Sequence, residues 1–153
     1  MQNDFLIIAD ASCLIALYNI SELDLLQTLF QEIYITPEIA AEVKAEKPNW
    51  IKIKSVKDEE KISELHEVLD LGEASAIALA LESKDALLII DERKGRSIAK
   101  SLKIPIIGTL GILIEAKRAG IAKDYIAIIE KLRADDFRMS DKLLIKVLDI
   151  LQA

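Results

Sequence analysis

The stretch FLIIADASCLIAL, residues 5–17, sets one aspartate, Asp10, inside an otherwise apolar run. Residues 5–9 predict a short strand that is buried on both faces, and residues 12–20 predict a helix soon after it. In an open parallel sheet, ligands collect at the carboxyl ends of the strands, where loops and helix N-termini converge. The position of Asp10 therefore makes it the first candidate for a functional residue.

Strand-like and helix-like segments continue to alternate along the chain. Further strands are predicted to end at Thr36 and to cover NWIKIKSV, ALLII and IPIIG. Helices are predicted over residues 22–30, 37–47, 58–70, 71–83, 93–102, 109–120, 122–133 and 141–152. Thr36 and Ser140 are expected to cap helix N-termini, and Gly120 is expected to end a helix. This alternation favours a three-layer α/β/α sandwich with a mainly parallel central sheet.

Composition favours the same fold class. Of the 153 residues, 52% are hydrophobic and 5% are aromatic, so Leu, Ile, Val and Ala must build the core, as in helices packed on a buried parallel sheet. The length suits one domain over residues 1–153. We expect the helical pair over residues 122–152 to pack on that domain, with a dimer contact as the alternative.

Charge and hydropathy limit the possible functions. The formal net charge of −6 argues against broad electrostatic capture of nucleic acid, so any nucleic-acid chemistry must be local. No apolar run approaches the roughly 20 residues that cross a bilayer, and we expect a cytoplasmic protein without membrane contact. The single cysteine, Cys13, lies in an apolar stretch and is interpreted as a small buried hydrophobe.

Four acidic residues on separate elements are the candidates for chemistry. Asp10 and Asp91 each follow an apolar strand, and they meet at one edge of the sheet if those strands are neighbours. Glu73 lies in the first turn of a helix, beside its buried face. Glu42 flanks apolar positions of the helix predicted over residues 37–47.

Each acid also has a purely structural interpretation. For Asp10 or Asp91 taken alone, helix N-capping is as good an explanation as a functional role. Interaction with the helix dipole explains Glu73. For Glu42 the alternative is a solvated helix face. Two further glutamates compete with Glu42 on spacing alone, Glu38 and Glu46.

A cluster of these acids would require a cation. At roughly 4 Å and an effective dielectric constant near 20, each close pair of carboxylates repels by about 4 kcal/mol. Because the available ligands are oxygen atoms, with neither Cys nor His offered, Mg²⁺ or Mn²⁺ is preferred over zinc.

Several motifs resemble those of the PIN domain family. They run in order over nearly the whole chain: IIADASCLIAL, TPEIAAEV, LGEASAIALALE, LLIIDERKGRSIAKSLKIPIIGTLGILIEAKRAG and FRMSDKLLIKVL. The likeness is to a prokaryotic branch related to the VapC-type toxins of toxin–antitoxin pairs. It implies a metal-dependent ribonuclease whose acidic side chains bind Mg²⁺ or Mn²⁺ and which hydrolyses phosphodiester bonds in RNA.

The resemblance also implies which residues act. Matched by position, the catalytic acids are Asp10, Glu42, Glu73 and Asp91, of which Asp10, Glu73 and Asp91 bind the metal. The third acid is more often Asp in the wider family. The fourth could be Asp91 or the adjacent Glu92, and Asp91 is preferred because it lies at the strand end. An antitoxin protein and a homodimer are expected, with the apolar helices over residues 13–30 as the dimer contact.

Two hydroxyl residues and a group of basic residues could support this chemistry. Ser12 and Thr109 could orient a carboxylate or a metal-bound water, or could instead cap helices. Positive side chains follow Asp91 on one predicted helix and could form a local RNA-binding patch, although a solvated helix face is the alternative. These residues are Arg93, Lys94 and Arg96.

Two other functions stay open at this point. The same fold could serve as a binding or assembly module with weak or no nuclease activity. A phosphoryl-transfer or receiver-like domain, phosphorylated at Asp10, is disfavoured. Phosphatases of the haloacid-dehalogenase type require a second aspartate where Ser12 stands, and receivers use paired acids where the sequence ADAS offers one.

Overall fold

A computed structural model describes residues 5–153 of the chain. The strands are β1 (Leu6–Ala9), β2 (Ile33–Ile35), β3 (Ile51–Ile53), β4 (Ala86–Ile89) and β5 (Ile106–Ile107). The helices are α1 (Ala11–Asn19), α2 (Asp24–Phe30), α3 (Pro37–Glu42), α4 (Glu59–His66), α5 (Leu71–Leu81), α6 (Arg93–Ser101), α7 (Thr109–Arg118), α8 (Tyr125–Ala134) and α9 (Asp141–Gln152). Residues 1–4, the start of the predicted domain, lie outside the described residues.

The strands form one parallel sheet in the order β3-β2-β1-β4-β5. The central strand, β1, pairs with β2 on one side and with β4 on the other, where Leu6–Ala9 align with Ala86–Ile89. From the β1–β4 pair the strand order runs outward in both directions. This pair is therefore the topological switch point, at which open parallel sheets bind ligands. The predicted α/β/α fold with a mainly parallel sheet is confirmed.

The core covers the central strands of the sheet on both faces. Ile8 and Leu88, at the centre of the sheet, are fully buried. Helix α5 packs against β1 and β4, and its residues from Gly72 to Ala80 are all buried. The first turn of this helix lies near Asp10, at the carboxyl end of β1, because the charges of Asp10 and Glu73 interact.

The C-terminal helices share this core. Helix α9 packs against α7 and α8, and Ile128, Leu132, Val147 and Leu151 belong to the same buried cluster as the strands. The Lys117 ammonium of α7 donates to backbone carbonyls at the end of α9, including that of Ala153 at 2.7 Å. The expectation of one domain that includes residues 122–152 stays a prediction.

The helix predicted over residues 37–47 is too long, because α3 ends at Glu42. Val43 leaves the helical region with φ −87° and ψ 99°, and its side chain is buried in the core. The Lys47 ammonium donates to the carbonyls of Val43 and Ala45, which a continuing helix would have used. Pro48 disfavours a helical conformation at the residue before it. Glu42 is therefore the last residue of its helix.

The predicted helix ends are confirmed at three positions. The Thr36 hydroxyl accepts a hydrogen bond from the Ile39 N–H at 3.1 Å, and Ser140 caps α9 in the same way. Gly120 adopts φ +80° just beyond α7, a conformation that favours glycine. No helix within residues 5–153 is long and apolar enough to cross a membrane.

Candidate active site

The structure brings Asp10 and Asp91 to the same edge of the sheet. Their strands are neighbours, and the Asp10 N–H donates to the Ile89 carbonyl at 2.9 Å. Asp10 is the N-cap residue of α1, but its side chain makes no capping bond. The N-cap position of α6 belongs to Glu92 and not to Asp91. The interpretation of these two aspartates as side-chain N-caps is therefore wrong.

The Asp91 carboxylate is held by Thr109. The Thr109 backbone N–H donates to Asp91 Oδ1 at 2.8 Å, and the Thr109 hydroxyl donates to Asp91 Oδ2 at 2.6 Å. The N-cap position of α7 belongs to Gly108, so the capping interpretation of Thr109 is wrong. A Cβ at Gly108 would lie 3.0 Å from Asp91 Oδ1, so glycine leaves the carboxylate its space.

Glu73 lies at the start of α5 together with a further acid, Asp70. Asp70 is the N-cap of α5, and its Oδ1 accepts a hydrogen bond from the Glu73 N–H at 2.9 Å. The Glu73 side chain is only 5% exposed, and its Oε2 has no hydrogen-bond partner. A Cβ at Gly95 of α6 would lie 2.7 Å from this oxygen, so α6 approaches it without a side chain. Glu73 is thus buried with an unsatisfied acceptor.

Glu42 reaches the same region from the end of α3. Its carboxylate lies against Gly72, where a Cβ would collide with Glu42 Oε1. Burial and the charge of Asp70 raise the pKa of Glu42 above its usual range. The charge of Glu42 also acts on Asp10. These contacts place Glu42 beside the other acids, although its side chain is exposed.

The electrostatics of the cluster disfavour the ionised forms of Asp10 and Glu73 in particular. Burial, with added repulsion from Asp70, Glu42 and Asp91, raises the pKa of Asp10 from 3.8 to about 7. Burial, a hydrogen bond with Asp70, and the charges of Asp10, Asp70 and Glu92 raise the pKa of Glu73 from 4.5 to about 8. In the described part of the chain, no lysine or arginine forms an ion pair with these carboxylates. The negative charges of these carboxylates are therefore not balanced by ion pairs with basic side chains.

A cavity of about 270 Å³ opens beside the cluster. It is lined by Asp70 and Glu73 at the start of α5, and by three residues that the sequence singles out, Ser12, Glu92 and Lys94. Ser12 lies in α1, one residue after its start at Ala11, so the interpretation of Ser12 as the N-cap is wrong. Glu92 lines this cavity, whereas both oxygens of Asp91 are bonded to Thr109. The preference for Asp91 over Glu92 stays a prediction.

A family model described as PIN domain matches residues 6–153. The chain belongs to the PIN domain family. No curated protein and no solved structure matches it. PIN domains are typically nucleases, so a hydrolase of this class is supported.

PIN domains generally use divalent metal ions, and the donor chemistry of this site fits such an ion. The donors are carboxylate oxygens, which hard cations prefer, and Glu73 Oε2 is an unpartnered acceptor. Within residues 5–153, no group of three or more Asp, Glu, His or Cys side chains is already arranged to hold an ion.

The basic residues predicted to bind RNA lie on α6 with different surroundings. Lys94 is exposed and lines the 270 Å³ cavity beside Glu73. Arg96 is half-buried, and its Nη1 donates to the Ile90 carbonyl at 2.7 Å. Arg93 is exposed at the first position of α6. Of the three residues, Lys94 is therefore close to Glu73 and Arg96 is close to Asp91.

The sequence reasoning missed Asp70. The sequence pattern predicts one helix over residues 58–70 with Asp70 as its last residue, whereas α4 ends at His66. The pattern Asp70-x-x-Glu73 carries the spacing of a capping box, in which an N-cap residue and an acid three positions later belong to the same helix start. That spacing was the signal that could have placed Asp70 beside Glu73.

Proposed function

We propose that this PIN domain is an endoribonuclease that depends on Mg²⁺ or Mn²⁺. The observation that carries the proposal is the burial of Asp10 and Glu73, with raised pKa values and no ion pair, at the switch point of the sheet. A divalent ion relieves the repulsion between such carboxylates. When bound, it supplies an attacking water of lowered pKa and neutralises charge that develops on the phosphate.

The residues around the acids have separate roles in this proposal. Asp10, Glu73 and Asp91 would hold the ion, and Glu42 and Asp70 add negative charge beside them. Thr109 keeps the Asp91 carboxylate in one orientation through two hydrogen bonds. Lys94, at the rim of the cavity, binds a phosphate of the substrate strand.

We further propose that the protein is the toxin of a toxin–antitoxin pair and acts in the cytoplasm. This rests on the resemblance of DAS, GEASAIALA and IDERKGR to the VapC-type branch. A homodimer through α1 is part of the proposal. It is supported by Ile15 and Tyr18, two apolar side chains of α1 that are 40% and 50% exposed.

The test is cleavage of single-stranded RNA with Mn²⁺ by the wild-type protein and by Asp10→Asn. Asn keeps the shape of the side chain but removes the charge that would hold the ion. We expect the substitution to reduce the cleavage rate by at least about 100-fold, and we expect EDTA to stop cleavage by the wild type.

Asp85→Asn is the matched control for this experiment. Asp85 is exposed and precedes β4, so it lies at the end of the strand opposite to Asp91. Cleavage by Asp85→Asn should equal that of the wild type. Equal rates for Asp10→Asn and wild type would contradict the assignment of the site.

A second candidate function is a binding or assembly module without nuclease activity. It is favoured by the exposed side chains of Ile15 and Tyr18 on α1, which offer a contact surface for a protein partner. Calorimetric titration with Mn²⁺ separates the two functions. A nuclease of the proposed kind takes up Mn²⁺ with an affinity that Asp10→Asn lowers, whereas a module shows no uptake that depends on Asp10.

A further inference from the structure

A groove of about 430 Å³ begins at Asp91 and runs along the edge strand of the sheet. We call it the β5 groove, because it lies between β5, the first turns of α7 and the start of α9. Its volume falls in the range of small-ligand sites. Its lining combines charged and apolar side chains, among them Asp91, Arg96, Ile107, Ile114, Phe137 and Arg138.

The lining of the β5 groove includes two guanidinium groups, those of Arg96 and Arg138. Neither Arg96 nor Arg138 forms an ion pair with a carboxylate of the described residues. Arg96 uses Nη1 for the Ile90 carbonyl, which leaves further N–H donors on its guanidinium. A Cβ at Gly108 would lie 3.1 Å from Arg96 Nη1 and 3.0 Å from Asp91 Oδ1, so glycine keeps the groove continuous with the acids. Two unpaired guanidiniums on a chain of net charge −6 match an anion such as phosphate.

The apolar part of the groove includes one aromatic ring, that of Phe137. Phe137 is half-buried, and its backbone is fixed where α8 ends. Its N–H donates to the Leu132 carbonyl at 2.9 Å, and the Asp136 N–H donates to the Arg133 carbonyl at 3.2 Å, with Asp136 at φ +63°. These are the bonds of a Schellman motif. The backbone that carries the ring is therefore ordered before any ligand binds.

We propose that the β5 groove receives one nucleotide of the substrate strand, next to the phosphate at the acids. Its base stacks on Phe137 against the wall formed by Ile107 and Ile114, and a phosphate lies between Arg96 and Arg138. A nucleotide uses both the apolar wall and the two cations, since every base has an apolar face beside an anionic backbone. An apolar protein segment would fill the wall and leave both arginines unpaired. The inference rests on the proposed ribonuclease function and names a subsite of it.

The test measures the affinity of a short fluorescent single-stranded RNA for the Asp10→Asn protein in EDTA, by anisotropy. Phe137→Leu keeps the apolar contact of the Schellman motif but removes the ring, and we expect it to weaken binding by about 5- to 100-fold. Phe137→Tyr retains the ring and should restore the affinity. Arg138→Gln should weaken binding and lower the slope of log affinity against log salt by about 0.7.

The controls change the same residue types outside the groove. Phe30→Leu replaces another half-buried ring, and Arg133→Gln replaces an exposed arginine of α8, and both should leave RNA affinity unchanged. Unchanged affinity in a folded Phe137→Leu protein would overturn the proposal and favour a protein segment as the occupant. Failure of Asp10→Asn to bind RNA would also overturn it.

Cleavage reports on the proposed function separately. If the wild-type protein does not cleave RNA but RNA binding depends on Phe137, the subsite stands and the ribonuclease proposal fails. If the wild type cleaves RNA and the affinity does not depend on Phe137, the subsite alone fails.

Discussion

Ionisation of Asp10 and Glu73 determines how metal binding at the site depends on pH. Both side chains are buried among other carboxylates, so each keeps its proton to a pH near neutrality. A divalent ion replaces those protons, since the charged carboxylates are then stabilised by the cation. Metal binding is therefore expected to release protons and to tighten as the pH rises.

We expect the metal-free protein to lose stability between pH 4 and 7. In that interval Asp10 is ionised in the unfolded chain, where its pKa is 3.8, and protonated in the folded protein, where its pKa is about 7. Raising the pH therefore favours unfolding, by about 1.4 kcal/mol per pH unit, until the pH passes the folded value. Urea denaturation in EDTA at pH 5 and pH 8 should show a loss of about 2 to 4 kcal/mol from this residue.

Asp10→Asn isolates the contribution of Asp10 to this pH dependence. The variant lacks the titrating group, so its stability should fall less between the two pH values, and at pH 8 it should exceed that of the wild type. Asp85→Asn, at an exposed position, should follow the wild type. If the free energy of unfolding depends on pH in the same way for Asp10→Asn and wild type, ionisation of Asp10 does not destabilise the folded protein.

The sequence predicts Asp10, Asp91 and Glu73 because each lies next to an apolar segment whose end can be recognised. It could not decide the role of Thr109, because a hydroxyl after a strand serves equally as a cap or as a donor to a distant acid. Only the pairing of β4 with β5 brings Thr109 to Asp91. The groups that touch across the sheet are set by strand order, which local patterns do not specify.

Helix α5 is the element that organises the acids. Its N-cap, Asp70, binds the Glu73 N–H, and its Gly72 accepts the close approach of Glu42. The buried Ser75 hydroxyl donates to the Gly72 carbonyl at 2.7 Å and lies 2.6 Å from the Thr36 hydroxyl, which caps α3. Since Ser75 uses its own proton on Gly72, Thr36 is the donor to Ser75. The start of α3 is thus tied to the first turns of α5.

Substitutions of Asp70 separate its cap from its charge. Asn caps a helix as well as Asp does, so Asp70→Asn should retain the cap and remove repulsion with Glu73 and Asp10, which leaves stability at pH 8 unchanged or raised. Asp70→Ala removes both, so the relief of repulsion offsets part of the lost cap, worth about 1 kcal/mol. Urea denaturation in EDTA measures both variants.

Asp124 provides the matched control for a cap without the acid cluster. It caps α8 by accepting from the Ala127 N–H at 3.0 Å. Asp124→Ala should cost the full value of about 1 kcal/mol, and Asp124→Asn should cost little. Equal losses for Asp70→Ala and Asp124→Ala would mean that Asp70 carries no repulsion.

Elements with strong periodicity were predicted closely, and α9 (Asp141–Gln152) has the predicted ends. The end of α3 was not predicted, because helical spacing continues past Glu42 while the core requires Val43 in an extended conformation. Tertiary packing overrides the local pattern there. The helix predicted over residues 58–70 also ends early, at His66, and Asp70 instead caps α5.

In the molecule as a whole, the sheet and the C-terminal helices share one buried cluster. We therefore propose that they unfold together as one domain. Leu88→Ala in β4 should lower the free energy of unfolding by about 2 to 5 kcal/mol. Leu151→Ala in α9 should lower it by about 1 to 3 kcal/mol, and both should shift one common transition. Two probes during urea denaturation check this. Circular dichroism reports on the helices, and tryptophan fluorescence reports on the sheet, because Trp50 lies just before β3.

Leu102→Ala is the control for these core substitutions. Leu102 is 40% exposed at the end of α6, so its truncation should cost much less than that of Leu88. A separate early transition in Leu151→Ala, with the main transition unmoved, would show that the C-terminal helices form an independent unit.

Pairing Leu6 with Ala86 joins positions 80 residues apart in the chain. During synthesis, β1 leaves the ribosome long before its neighbour β4 exists. Contacts between residues so far apart in the chain form late. Asp10 meets Glu73 and Asp91 only after that neighbour has emerged. Until β4 has emerged, the growing polypeptide therefore holds no assembled acidic centre beside the RNA of the ribosome that makes it.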